Sequence, residues 1–245
     1  MSEGEFTFHH LETDKDIEQN LELMLKVFGP DEGADAIVRR LIDCHPRMTF
    51  RNHFVIKHRG DMVASLNLIP ERWSIGGIPL KVAEMGCVGT LAEYRHRGLI
   101  RRLVNEHHKQ VAEHGYDLSV IEGIPYFYRQ FGYEYAIPLD EEIRISLDQI
   151  PDYESKYEIR PFTSGDIPKA MQLLKQTQRK FYVHSIRDKP IWKMQHETST
   201  AGSAKKFEAY AVEKDGAMIA YLRIRDEPKD KSLILKEITE TDQPT

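Results

Sequence analysis

The sequence predicts an α/β (α+β) protein with helices flanking a sheet, and three observations carry that expectation. Amphipathic helical runs alternate with short β-prone segments. The β-prone segments are paired around glycine-containing turns. An apolar strand end at Val88 runs on into a basic helix start that contains Gly98. At 245 residues, 40% of them hydrophobic, the chain can bury a substantial core and has room for more than one domain.

The first helix spans Asp14 to Phe28, where Ile17, Leu21, Met24, Leu25 and Phe28 recur at helical spacing and Gly29-Pro30 ends the run. A second covers Ala34 to Cys44 through Ile37, Val38, Leu41 and Ile42, and stops before Pro46. Phe54 to Ile56 and Met62 to Ile69 are β-prone and separated by Arg59-Gly60-Asp61, a hairpin signal; Trp73 to Val82, broken by Gly76-Gly77, signals another. Lys81 to Val88 reads as a strand. Leu99, Leu103, Val104 and Val111 mark a helix that ends near His114-Gly115, and Leu118 to Ile121 is a short apolar strand. Pro125 to Phe131 predicts an aromatic helix, with Pro125 at an early position and Gly132 stopping it in the left-handed conformation.

The remaining residues echo the first part of the chain. Thr7 to Ile17 is answered by Glu158 to Ile167, each leading into an amphipathic helix, and Gly60-Asp-Met-Val-Ala-Ser-Leu66 by Gly216-Ala-Met-Ile-Ala-Tyr-Leu222. The expected organisation is therefore a first domain over 1–150 and a partial second unit over 157–245. Where a second copy of the Arg95–Arg102 loop is due, the sequence ends.

That loop is an anion cradle. At the first turn of a helix the backbone N–H groups lack intrahelical partners and the macrodipole is positive, so the Gly98, Leu99 and Ile100 amides suit a phosphate. Gly98 permits close approach, and Arg95, Arg97, Arg101 and Arg102 add cationic donors.

The pattern Arg95-x-x-Gly98-x-Ile100 resembles the coenzyme A loop of the GNAT acetyltransferase superfamily, whose last position is usually Gly or Ala. Ile100 departs from it with a side chain large enough to crowd a pyrophosphate. The run Arg-His-Arg-Gly-Leu-Ile is similar to the loop of the enhanced-intracellular-survival branch, which also has tandem GNAT units; that branch's sterol-carrier-like C-terminal domain is absent here, so Thr245 is not given its terminal-carboxylate base role. Downstream, Tyr128-Arg-Gln-Phe-Gly-Tyr133 resembles the superfamily's Tyr-x-x-Phe-Gly-Tyr segment, which implies Tyr128 as general acid. Phe127 and Phe131 read as core packing. The resemblance implies the GNAT fold, a central mixed, mostly antiparallel sheet flanked by helices with Glu141 to Leu147 as its closing strand, followed by a second partial GNAT-like domain.

Acyl transfer from a thioester to an amine needs a neutral amine, a polarised carbonyl and a protonated leaving thiol. The resemblance implies acetyl-CoA as the cofactor, bound by Cys87, Val88, Gly89, Arg95, Arg97, Gly98, Leu99, Ile100 and Arg101, with the Val88 amide on the carbonyl. Glu84, four residues before Val88, is the candidate base, and Glu122 is its rival. Cys87 has no His or acid placed by sequence to activate it, so direct transfer is expected. The other class of function that fits is a non-catalytic coenzyme A-binding sensor or scaffold, which has no need of Tyr128. The acceptor is a small-molecule amine or a protein amine.

The net charge of −5, from 34 basic and 39 acidic residues, argues against a nucleic-acid-binding surface. Two cysteines, Cys44 and Cys87, without metal-type spacing predict buried free thiols in a reduced, cytoplasmic protein, and no apolar run approaches membrane-spanning length. The N-terminus, Met-Ser-Glu-Gly-Glu, has no signal-peptide pattern. His107, His108 and His114 read as a solvated helix face, so no metal is expected; a homo-oligomer stays open.

Overall fold

The structure, a computed structural model, describes residues 6–138, 143–152, 155–200 and 206–239. The chain divides into two compact units, Met1–Pro138 and Leu139–Thr245. The first contains β1 (Phe6–His10), α1 (Asp14–Phe28), α2 (Ala34–Cys44), β2 (His53–His58), β3 (Asp61–Ile75), β4 (Ile78–Thr90), α3 (Leu99–Glu113) and β5 (Leu118–Val120). Its strands lie in the order β1-β2-β3-β4-β5, antiparallel up to β4 and parallel between β4 and β5.

Local chemistry sets the element ends. Thr13 and Asp16 close a capping box at the start of α1: the Asp16 N–H donates to Thr13 Oγ1 at 3.2 Å, and the Thr13 N–H to the Asp16 carboxylate at 3.1 Å. Arg59 and Gly60 both have positive φ, 55° and 91°, which matches the twist a two-residue hairpin turn needs between β2 and β3. Gly76 and Gly77 do the same between β3 and β4. The helices then cover the two faces of the sheet. Ile17, Leu23 and Met24 of α1 and Val38 of α2 pack with Val55 and Met62, while Leu99, Leu103 and Val104 of α3 pack with Phe54, Ile56, Leu66, Leu68, Ala83 and Met85.

Two sequence expectations are corrected here. His107 is not on a solvated face: it is fully buried, its Nε2 lies 2.9 Å from Ser119 Oγ, and burial pushes its imidazole down to about 3. Cys44 is exposed and Cys87 half-buried, and both are free.

The second unit contains β6 (Ile143–Ser146), β7 (Glu158–Pro161), α4 (Ile167–Gln178), β8 (Val183–Ser185), α5 (Lys189–Thr198), β9 (Glu208–Lys214), β10 (Ala217–Glu227) and β11 (Ser232–Ile238). Five of these strands form an antiparallel sheet in the order β6-β11-β10-β9-β7. The segment expected to close the first sheet is β6, and it pairs with β11 from Ile143↔Leu235 to Ser146↔Ser232. β10 occupies only one edge of β11, and β6 satisfies the backbone groups on the other. The division between units accordingly falls at Pro138/Leu139, ahead of the expected residue 150; Glu141 lies outside the described residues.

The internal echo has a structural counterpart. Thr163 and Asp166 form the same capping box as Thr13 and Asp16, and Asp215 and Gly216 take the same paired positive φ, 52° and 73°, as Arg59 and Gly60. Phe162, Ile167, Leu173, Trp192 and Tyr221 build the core of this unit. Among the described residues no helix is long and apolar enough to cross a membrane.

Candidate active site

Strand β4 carries two irregularities at one place. Its parallel pairing with β5 ends at Glu84↔Val120, yet β4 continues to Thr90, so from Met85 onward its edge toward β5 has no partner from that strand. On the opposite edge the register with β3 slips between Ser65 and Asn67, and within the resulting bulge Cys87 has φ 49°. The bulge re-aims the backbone where the strands part, and Cys87, Val88 and Gly89 are the residues it brings there. Gly89 is closely packed: a Cβ on it would stand 3.0 Å from Val27 Cγ1 of α1, which would have to give way by a few tenths of an ångström.

Nine residues after Gly89, Gly98 caps α3 with φ 72° and no side-chain cap. The Arg102 N–H bonds Gly98 O at 3.1 Å, which leaves the Leu99, Ile100 and Arg101 amides as the first-turn donors without intrahelical partners. No heavy atom comes within 4 Å of a Cβ built on Gly98, so the approach is open. Ile100 packs against the core around Leu99 and Leu103, which takes its side chain out of the cradle it was expected to crowd. The arginines are more committed than their sequence spacing implies. The Arg102 guanidinium donates to Phe6 O at 2.6 Å; Arg101 donates to Gln130 Oε1 at 3.0 Å and lies 5.1 Å from the Phe131 ring centre; Arg97 lies over the Phe6 and Tyr94 rings. Arg95 is exposed. Free amides at the positive end of a helix, beside a strand edge with open backbone groups, fit a pyrophosphate followed by a chain of amides, which is the make-up of coenzyme A.

Tyr128 lies on a short 3-10 helix, Phe127–Phe131, closed by Gly132 at φ 90°. The helix begins after Tyr126 rather than at Pro125, because Tyr126 takes φ 65° and cannot belong to it. The Tyr128 ring is buried in the core cluster of the first unit, against the Phe127, Phe131 and Tyr133 rings, and its hydroxyl makes no hydrogen bond among the described residues. Burial, reinforced by Tyr133, pushes the phenol up to about 12.

Glu84 is half-buried on the opposite face of the sheet from Met85. Its carboxyl is pushed up to about 8, by burial first and then by Glu71 and Glu122. The register explains Glu71: Ile69 faces Glu84 and Glu71 faces Val82, so the two glutamates are diagonal neighbours on one face. Burial, with Glu84 adding, pushes the Cys87 thiol up to about 12, against a smaller opposing effect of Asn67. Asn67 Oδ1 lies 2.9 Å from His53 Nδ1, and burial holds that imidazole down at about 4.

Thus the predicted residues fall into a strand-turn-helix set (Cys87 to Arg101), Glu84 at the last residue of β4 that pairs with β5, and Tyr128 in the core cluster to which α3 contributes. Glu71, Gly123 and Asn67 were not singled out from the sequence. Glu71 was findable, since counting pairs back from the Gly76-Gly77 turn places it beside Glu84. A cavity of about 350 Å³ in the second unit, lined among others by Phe162, His196, Phe207 and Arg223, contains none of the predicted residues.

The Acetyltransferase (GNAT) domain family matches residues 10–136, over half of this chain. No curated protein matches the sequence. Among solved structures, a GCN5-related N-acetyltransferase from Anabaena variabilis is similar at 18% identity and TM-score 0.73, over 97% of this chain and 59% of that one. A probable N-acyltransferase of unknown function from Enterococcus faecalis is similar at 17% identity and TM-score 0.67, over 91% of this chain and 55% of that one. N-myristoyltransferase from Saccharomyces cerevisiae, with bound myristoyl-CoA, is similar at 16% identity and TM-score 0.69, over 99% of this chain and 67% of that one. At these identities the structures show a shared fold, and the chain spans 55% to 59% of the length of the first two. The family match runs through the β4 bulge, the open start of α3 and Tyr128, and the chain belongs to the Acetyltransferase (GNAT) domain family.

Proposed function

We propose that the protein is an N-acetyltransferase that passes an acetyl group from acetyl-CoA directly to a primary amine, on a small molecule or a protein. The observation that carries this reading is the β4 bulge at Cys87, set where β5 has ended and leading into the open first turn of α3.

Bound acetyl-CoA supplies an activated acyl thioester. The residues to hold it are Cys87, Val88 and Gly89 along the strand edge, and the Gly98, Leu99, Ile100 and Arg101 amides at the pyrophosphate, with Arg95 and Arg97 at its margin. The Val88 N–H is the donor that polarises the carbonyl oxygen. Glu84 takes the proton of the incoming ammonium: a carboxyl lifted to about 8 is a far better proton acceptor near neutral pH than an ordinary glutamate. Tyr128 Oη, protonated at neutral pH as any phenol is, holds the proton for the leaving sulfur, whose free thiol titrates at about 8.5; burial, which pushes the phenol up to about 12, makes it a weaker donor than an ordinary tyrosine. A Cys87 thiol at about 12 is a poor nucleophile, which favours direct transfer over an acyl-enzyme.

The second unit, taken as a partial GNAT-like domain over 157–245, binds no acetyl-CoA in this reading; the repeated capping box and hairpin turn support its likeness to the first. A cytoplasmic location belongs to the same reading and rests on two free cysteines.

Calorimetry and an amine panel followed by thiol release test the whole. Acetyl-CoA should bind at one per chain, weaken when Gly98→Val closes the open approach, and turn over with at least one amine. Failure of any coenzyme A to bind at millimolar concentration overturns the assignment, and two per chain overturns the account of the second unit.

A further inference from the structure

Tyr126 has φ +65°, a left-handed conformation that a bulky side chain enters only when its surroundings hold it there. Tyr135 supplies much of that hold. The Tyr126 N–H donates to the Tyr135 hydroxyl at 2.6 Å, and the two rings meet edge to face with centres 5.8 Å apart. The guanidinium of Arg129 lies 5.5 Å from the Tyr126 ring and 5.2 Å from the Tyr135 ring, and its Nε donates to Glu134 Oε2 at 3.1 Å. Tyr135 therefore touches the chain on both sides of Tyr128, two residues before it and one residue after it.

Core packing does not account for this arrangement, because Tyr126 and Tyr135 are 72% and 61% exposed. The 3-10 helix between them is only five residues long, and its hydrogen-bond geometry is intrinsically poor. The segment that bears Tyr128 is thus pinned from outside by a tyrosine that is itself largely exposed.

We propose that Tyr135 is a positioning residue for the transfer reaction, clamping Tyr126 and Arg129 so that the Tyr128 hydroxyl stays where the acid is needed. This rests on the reading of Tyr128 as the acid. Without the Tyr135 hydroxyl, the Tyr126 N–H loses its acceptor, the left-handed conformation relaxes, and the Tyr128 backbone shifts with it. A displacement of about 1 Å at a reacting group is enough to cost as much as about 100-fold in rate.

The test is a double-mutant cycle in the full chain, with acetyl-CoA and an amine taken from the panel. Tyr135→Phe keeps the ring and removes the hydroxyl; kcat should fall roughly 10-fold to 100-fold, with KM for acetyl-CoA unchanged. In the Tyr128→Phe background the same change should cost nothing further, because there is no acid left to misplace. Arg129→Gln, which leaves the Tyr126–Tyr135 hydrogen bond in place, should show a smaller loss with the same non-additivity. Wild-type kcat in Tyr135→Phe, or losses that simply multiply, overturn the clamp while leaving Tyr128 as the acid. Wild-type kcat in Tyr128→Phe overturns the acid itself, and the clamp with it.

Discussion

The ring of Tyr128 lies so close over Gly123 that a Cβ at residue 123 would stand 2.4 Å from Tyr128 Cε2. Side chains in a packed core do not tolerate such a distance, so one of the two must move. The glycine after Glu122 is thereby tied to the aromatic segment that follows it.

Gly123→Ala should accordingly displace Tyr128 and lower kcat by at least about 10-fold, with a stability loss of roughly 1–3 kcal/mol from overpacking. Urea unfolding and steady-state kinetics check the two effects together. An alanine variant with wild-type values for both would show that the ring is free to swing aside.

Tyr128→Phe removes one hydroxyl that makes no hydrogen bond among the described residues, so folding should be nearly unaffected. Acid catalysis contributes about 100-fold to 10,000-fold, and turnover should fall by at least the lower figure while acetyl-CoA affinity by calorimetry stays at wild type.

Glu84 connects activity to pH. Its folded carboxyl, near 8, holds its proton more tightly than the unfolded value of 4.5, so its contribution to stability is fully present below about 4.5 and is lost as pH rises through 8. Activity runs the other way, since only the ionised carboxylate accepts a proton. kcat/KM should rise through pH 8, and Tm should decline over the interval between the two values. Glu84→Gln should flatten both profiles and lower kcat; a variant that keeps the wild-type pH–rate limb would transfer the base role to Glu122.

In the second unit, the fully buried Arg223 guanidinium donates to Gln195 O at 2.8 Å and Thr200 O at 3.2 Å, capping the C-terminal end of α5. Arg223→Leu takes away the guanidinium donor to Thr200 O and one of the donors to Gln195 O, which keeps the Thr200 N–H at 3.2 Å, and should cost about 1–3 kcal/mol in urea unfolding, with acetyl-CoA affinity unchanged.

Much of this was legible without coordinates because it is local. The periodicity of Ile17, Leu21, Met24 and Phe28 marks α1 from Asp14 to Phe28, and Gly29 and Pro46 stop α1 and α2 where they do stop. Arg59-Gly60, Gly76-Gly77 and Gly98 need positive φ, and the residue types announce it. The candidate cofactor loop is legible for the same reason: its donors are neighbouring amides of one turn. What the chain did not disclose depends on partners distant in sequence. Ile143–Ser146 is an acceptable strand for either sheet, and only the open edge of β11 decides between them. Arginines that look free for an anion are taken up by Phe6, Gln130 and Phe131, which no spacing rule brings near. The elevated Glu84 carboxyl comes from desolvation and from Glu71 and Glu122 on other segments, and the left-handed Tyr126 from a tyrosine nine residues away. Backbone propensity acts within a turn or two, whereas burial, register and electrostatic coupling exist only once the sheet has assembled.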